Sequence, residues 1–209
     1  MVVKSPNWNE KQATLQKFER KNKLDKWIPV EEKFDVVVGK NGMGWGKDFV
    51  SFANSDEPRK TEGDGKSPAG IFLMGDLFGF EQSSRAGYRQ LKDSTYCIDD
   101  QDSEFYNQII DSADPKITSN PPHNEKMREQ VLYKIGAEIK YLSSRKLGTG
   151  SCIFMHIWKD STHGTAGCVA MEETNIQKLV QWMNPKLSSA VAIFPKDTYD
   201  KYKTCVGLP

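Results

Sequence analysis

No apolar run in this sequence is long enough to cross a bilayer, and neither sign of charge dominates it: 29 basic and 28 acidic residues leave a formal net charge of +1 over 209 residues. The first absence excludes a membrane-spanning helix. The second excludes the broad cationic field that draws in nucleic acid or an acidic membrane surface, so any partner is recognised locally. Cysteine and histidine are scarce, at four and three residues. Cys97, Cys152, Cys168 and Cys205 supply neither the density of a disulfide scaffold nor a CxxC pair at zinc-ribbon spacing, and each is judged singly. Repeats and low-complexity tracts are missing. From Met1 to Lys4 and on through Asn7 to Asn9 there is no apolar core of a signal peptide, so the expectation is either a cytosolic protein or one recorded without its export signal. What is present is ordinary for one soluble domain with its own core: 37% hydrophobic and 27% charged residues.

Strand signals dominate. Phe34 to Val38 is a β-branched run that ends at Gly39, and Gly42, Gly44 and Gly46 around Trp45 imply a glycine-shaped loop. Pro58 to Gly70 is charged and turn-rich, and Ile71 to Met74 resumes an apolar strand. Pro115, Pro121 and Pro122 rule out regular structure between Ser112 and Asn124, after which Asn124 to Gln130 reads as a short helix with Asn124 as its cap. Leu132 to Tyr141 alternates as a half-buried strand does, and Cys152 to Trp158 is the most apolar segment, expected as a central strand. Ile176, Leu179, Val180 and Met183 fall at amphipathic-helix spacing, closed by Pro185, and Ala190 to Phe194 gives a last strand. The expected class is α+β with a strand-rich core and a few short helices.

The chemistry concentrates between His156 and Met171, where a histidine at a strand end is followed, after a polar loop, by Gly167-Cys168. A free thiol is mostly protonated at neutral pH, and a nearby imidazole raises the thiolate fraction by forming a thiolate-imidazolium pair. A rigid strand at His156 and a loop returning Cys168 to it permit that pair. Gly167, lacking Cβ, lets a substrate carbonyl approach, and the amides around Ala166, Gly167 and Cys168 are candidate oxyanion donors. Taken separately, a histidine at a strand end is ordinarily a satisfied core residue and a Gly-Cys in a loop ordinarily nothing. It is their order in one segment that carries the reading. Two alternatives stand: His163 as the base, from a loop beside Gly164, and a zinc site of His156, His163 and Cys168, which lacks the short ligand pairs zinc usually takes.

His156 to Met171 resembles the active-site motif of the L,D-transpeptidase (YkuD-type) catalytic domain, a histidine followed by Ser/Thr-x-Gly-Cys. Lys60-Thr-Glu-Gly-Asp-Gly-Lys-Ser-Pro-Ala-Gly-Ile-Phe72 resembles the family's Thr/Ser-Pro-x-Gly-x-Phe segment. Val38 to Gly46, Tyr96 to Asp100 and Tyr106-Asn-Gln108 are similar to a branch lacking the commoner accessory modules.

The resemblance implies a β-sandwich, mostly antiparallel, with residues 34–195 as the catalytic domain, 1–33 as a partly extended N-terminal segment and 196–209 as a C-terminal tail. It implies cysteine acyl transfer on peptidoglycan stem peptides: Cys168 attacks the amide before a terminal D-amino acid, His156 is base and later acid, the backbone carbonyl of Ile157 orients the imidazole, and the acyl group passes to an amine. Within the same resemblance the alternatives are an L,D-carboxypeptidase, which passes the acyl group to water, and an inactive cell-wall-binding relative. Trp158, Thr165, Ala166 and His163 are candidate substrate contacts, and Ser67, Pro68 and Gly70 are expected to build a turn. No cofactor or metal is implied. A monomer, exported to the periplasm or cell envelope, is expected; in an exported protein Cys97 and Cys152, each in or beside an expected strand, can pair as a disulfide, the alternative being two buried free thiols. The chain departs from the family in a short spacing from His156 to Cys168 and in Ala170, where many members carry Arg or Asn.

Overall fold

The structure is a computed structural model, and it describes residues 1–22, 24–115, 117, 124–141, 148–184 and 187–209. Pro121, Pro122 and Pro185, expected as a break and a helix stop, lie outside them. In chain order the elements are β1 (Val2–Ser5), β2 (Gln12–Glu19), β3 (Ile28–Val37), β4 (Met43–Trp45), β5 (Ser67–Gly79), β6 (Tyr88–Gln90), β7 (Thr95–Ile98), β8 (Ile109–Asp111), β9 (Asn124–Lys126), β10 (Ile135–Lys140), β11 (Phe154–Ile157), β12 (Val169–Met171), α1 (Glu173–Trp182), β13 (Ala190–Pro195) and α2 (Lys196–Tyr202). Short 3-10 turns cover Lys47–Phe52, Met127–Glu129 and Val131–Tyr133. The expected class, strand-rich α+β with few short helices, is what these residues show.

The large sheet runs β10-β11-β12-β3-β2-β1-β13-β5-β4. The 13 residues of β5 pair with β13 from Gly70 to Leu73 and with β10 from Leu73 to Gly79, so the succession of pairings returns to its first strand. Antiparallel pairs are interleaved with parallel ones, β1 with β13 and β11 with β12 among them. Alternation along β2 turns Ala13 and Leu15 into the core, where they meet Val36 and Val38, Met155 and Ile157, Val169 and Met171, and the helix residues Ile176, Leu179 and Val180. Inward positions of β11 and β12 are thus odd-numbered. Their even-numbered neighbours Phe154, His156, Cys168 and Ala170 share the other face, as the period of two requires.

A second sheet of three strands, β8-β7-β9, packs on that other face through Cys97 and Met127, which contact Phe78, Tyr133, Phe154 and Cys168. A disulfide between Cys97 and Cys152 ties β7 to the segment that enters β11. The helix expected over Asn124–Gln130 is instead β9 and a 3-10 turn. Lys126 pairs with Tyr96 and Glu125 with Cys97, and Met127 is fully buried beneath Tyr133, so tertiary pairing overrides the local signal. For the same reason the strand expected from Leu132 begins only at Ile135, after a 3-10 turn that swings Tyr133 inward.

The ends of the chain belong to the same body. β1 and β2 sit in the large sheet, whose strand β3 runs across residue 34, and α2 carries Tyr199 into a cluster with Val2, Trp45 and Phe194. Tail helix α2 escaped the sequence reading because it is only seven residues long.

The disulfide closes a loop with a sequence separation of 55. A Cys97→Ser/Cys152→Ser double variant is therefore expected to lose roughly 4 kcal/mol of unfolding free energy. Urea denaturation of the two proteins checks this, and equal midpoints would refute it.

Candidate active site

Cys168 enters the site from a loop fastened by six hydrogen bonds. Ser67 Oγ donates to the carbonyls of Gly167 (2.7 Å) and Cys168 (3.1 Å) and accepts the amide of Gly39 at 2.9 Å. Thr165 Oγ1 donates to the Cys168 carbonyl at 2.7 Å and accepts the Gly167 amide at 3.1 Å. The backbone of Thr165 pairs on both sides, its amide to Val38 O at 2.9 Å and its carbonyl to Lys40 N at 2.8 Å. A Cβ at Gly167 would be crowded, standing 3.1 Å from both Ile153 Cδ1 and the Lys66 carbonyl. Gly164 is required more strictly, with Lys40 Cα 2.5 Å from where a Cβ would go.

Around the sulfur the contacts are short and few. Phe154 N donates to Cys168 Sγ at 3.3 Å, and the thiol donates to the Cys152 carbonyl at 3.5 Å. That carbonyl is aimed by an unusual backbone: Cys152 has φ of 53°, in the left-handed region. Its amide is held by Asn107 Oδ1 at 2.9 Å, and Asn107 Nδ2 in turn donates to Tyr141 O at 2.8 Å. The disulfide fixes the Cys152 side chain at the same time.

His156 is buried on β11, its ring edge-to-face with Tyr133 at 5.0 Å between centroids. Its Nδ1 lies 2.7 Å from the Ile157 carbonyl. A carbonyl only accepts, so Nδ1 carries the proton and Nε2 is left with its lone pair free for another proton. β11 and β12 run parallel with His156 opposite Ala170, which puts His156 and Cys168 on one face of adjacent strands. Among the described residues no hydrogen bond joins the two side chains directly. Tyr133 touches both: its hydroxyl lies beside the thiol, and it donates to Glu125 Oε1 at 2.8 Å.

Burial decides the resting charge. Desolvation pushes the Cys168 thiol up to about 12, the Glu125 carboxylate pushing the same way, against the Phe154 amide, the Tyr133 hydroxyl and the more distant Lys60 ammonium. Desolvation also lowers His156 to about 4, with the Ile157 carbonyl opposing. The low-dielectric setting penalises each charged form, so both shifts run against the thiolate-imidazolium pair expected from the sequence.

The remaining candidates separate from this centre. His163 is exposed and bound through Nδ1 to Asp160 Oδ2 at 2.6 Å, an interaction that holds the Asp160 carboxyl well below its usual range. It does not join His156 and Cys168, and no cluster of three or more metal-ligating side chains occurs among the described residues. Trp158 lines a groove of about 590 Å³ with Lys4, Gln12, Thr14, Lys33 and Ser161. Ala166 is exposed, and Thr165 fastens the loop as described. Sequence reasoning missed Tyr133, Glu125, Asn107 and the clamp role of Ser67. Tyr106-Asn-Gln108 and Ser67-Pro-Ala-Gly70 were visible as motifs, without a signal for their contacts.

A model of the YkuD family, the L,D-transpeptidase catalytic domain, matches residues 9–193, a span that includes every residue of this centre. The solved structure of Bdellovibrio bacteriovorus Bd1075 is similar at 16% identity and a TM-score of 0.45, with 99% of this chain and 54% of that one covered, so this chain spans about half its length. No curated protein matches.

The His156 shift has a sign that can be tested. The unfolded histidine binds protons below about 6.5 whereas the folded one stays neutral to about 4. Its contribution is therefore complete above the unfolded value and lost as pH falls, by roughly 3 kcal/mol on reaching pH 4. His156→Gln is expected to flatten the pH dependence of the urea midpoint between these limits, and an unchanged slope would contradict the burial argument.

Proposed function

The chain belongs to the YkuD family of L,D-transpeptidase catalytic domains, and we propose that it is a cysteine acyltransferase acting on peptidoglycan stem peptides, with Cys168 as nucleophile and His156 as base. The observation that carries this is the placement of a neutral imidazole, its Nε2 unprotonated, on the same sheet face as a thiol held by its own loop. No helix among the described residues is long and apolar enough to span a membrane. The proposal includes export to the cell envelope, supported by the Cys97–Cys152 disulfide, since such bonds persist in oxidising compartments. It also includes a sandwich-type layering of the two sheets.

In the proposed reaction Nε2 of His156 takes the thiol proton as sulfur attacks the amide carbonyl that precedes a terminal D-amino acid. The tetrahedral oxyanion faces the Cys168 loop. Because the Gly167 amide is occupied by Thr165 Oγ1, the amides of Ala166 and Cys168 are the donors assigned to it. Collapse breaks the carbon-nitrogen bond, and His156 returns its proton to the leaving amine. The thioester is then attacked by an acceptor amine, which gives its proton to His156 as the carbon-sulfur bond breaks, and His156 passes that proton to the departing sulfur to restore the starting state. The Ile157 carbonyl keeps one tautomer throughout without adding a second charge.

Two measurements test this. Incubation with a carbapenem is expected to add one acyl adduct to the intact protein, none to Cys168→Ser, and to label His156→Ala at least a hundredfold more slowly. Incubation with a disaccharide tetrapeptide is expected to give cross-linked dimers. Trimmed tripeptide alone would establish the carboxypeptidase reading instead, and labelling at Cys205 would overturn the nucleophile.

A further inference from the structure

Tyr133 and Glu125 have no place in the reaction as drawn, yet the Tyr133 hydroxyl lies beside its sulfur and donates to Glu125. They come from different elements: Glu125 from β9 of the small sheet, Tyr133 from the 3-10 turn before β10. The Tyr133 ring is fixed edge-to-face by Phe78 at 5.9 Å, Phe154 at 5.6 Å and His156 at 5.0 Å, so its hydroxyl has little freedom to wander. That hydroxyl has one proton and two neighbours that want it, Glu125 Oε1 at 2.8 Å and the sulfur of Cys168.

We propose that Tyr133 is the positioning residue whose hydroxyl donates to the Cys168 thiolate, and that Glu125 competes for this proton, so that the pair sets how readily the thiol ionises. The inference rests on the reading of Cys168 as the reacting nucleophile. While the thiol is neutral the proton points to the carboxylate, which is the observed arrangement. When sulfur becomes anionic, the hydroxyl turns to it and Glu125 loses its donor. Two anions then share one site, and relief comes from Glu125 taking up a proton from water. Its partly buried position favours this: desolvation raises its affinity for protons, with Asp99 acting in the same direction and Tyr133 opposing.

The charged and titratable groups that face this centre act as follows. Cys168 meets Glu125 from β9, Tyr133 from the turn, Lys60 from the loop before β5 and His156 from β11. Lys60 is engaged by Asp64 Oδ1 at 2.6 Å, so its positive charge is largely answered before it reaches the sulfur. Glu125 is the group left to oppose the thiolate, and Tyr133 the side-chain donor left to support it.

The test reads the thiol itself. Full-length protein carrying Cys205→Ser, to remove the exposed second thiol, is alkylated with iodoacetamide across pH 6 to 10 and followed by intact mass. Tyr133→Phe is expected to react about tenfold more slowly and Glu125→Gln about tenfold faster at any one pH, the scale of one hydrogen bond to a charged group. In the Tyr133→Phe background Glu125→Gln should accelerate the reaction less, since there is no hydroxyl left to release. A Tyr133→Phe rate at or above the parent's, or strictly additive effects, would overturn the proposal. If Tyr133→Phe fails to fold, Glu125→Gln alone decides: no acceleration refutes it. No peptide is involved, so an unaltered profile in an enzyme that still cross-links stem peptides defeats this inference alone. Shifted profiles in a protein inert toward stem peptides defeat only the functional reading.

Discussion

A sulfur atom kept out of water, with one backbone amide as its fixed donor, is the condition to which the rest of this structure answers. Phe154 N reaches Cys168 Sγ because β11 and β12 run parallel in a register that sets Phe154 level with Cys168. Aromatic rings from β5, β11 and the turn before β10 then exclude solvent. Such a site raises the cost of an anion and equally raises the worth of every dipole aimed at it, since both follow from the low dielectric.

Rigidity around the sulfur is supplied from far away in sequence. Ser67, a hundred residues from Gly167, binds two successive carbonyls of the Cys168 loop. Asn107 and the disulfide hold Cys152 in a left-handed conformation that a non-glycine residue adopts only when its surroundings over-determine it. The consequence is local and chemical: the Cys152 carbonyl faces the thiol and accepts its proton in the resting state. Glu62 extends the same scaffold, accepting Ser151 Oγ at 2.9 Å and the hydroxyl of Tyr106, the residue before Asn107. The charged loop before β5 is therefore stitched to the strand that carries His156.

Much of this was legible in the sequence, and the boundary has a physical cause. The apolar run at Phe154 to Ile157 and the helical spacing of Ile176, Leu179 and Val180 are periodic signals that one segment contains by itself. The order of His156 and Gly167-Cys168 lies within one short segment, and the structure sets both side chains on one sheet face. Tyr133 was not, because it reads as one more aromatic in an alternating strand, and only the turn that delays β10 until Ile135 delivers it to the thiol. Glu125 was hidden for a related reason: the local capping signal at Asn124 favours a helix, whereas pairing of Glu125 with Cys97 makes a strand and points the carboxylate inward. Contacts that depend on which distant strand arrives next leave no periodic trace.

The two buried groups also constrain how a proton can move. Burial raises the proton affinity of the Cys168 thiolate and lowers that of the His156 imidazole, so both shifts oppose a standing ion pair. Under the proposed acyl transfer, a substrate carbonyl arriving at the sulfur would relieve that opposition, because negative charge would pass to its oxygen, where amides of the Cys168 loop would receive it, as the proton reached His156. Proton transfer and carbon-sulfur bond formation would then be one event, and a single carbonyl at Ile157 would suffice to hold the imidazole, since no lasting cation would need a carboxylate behind it.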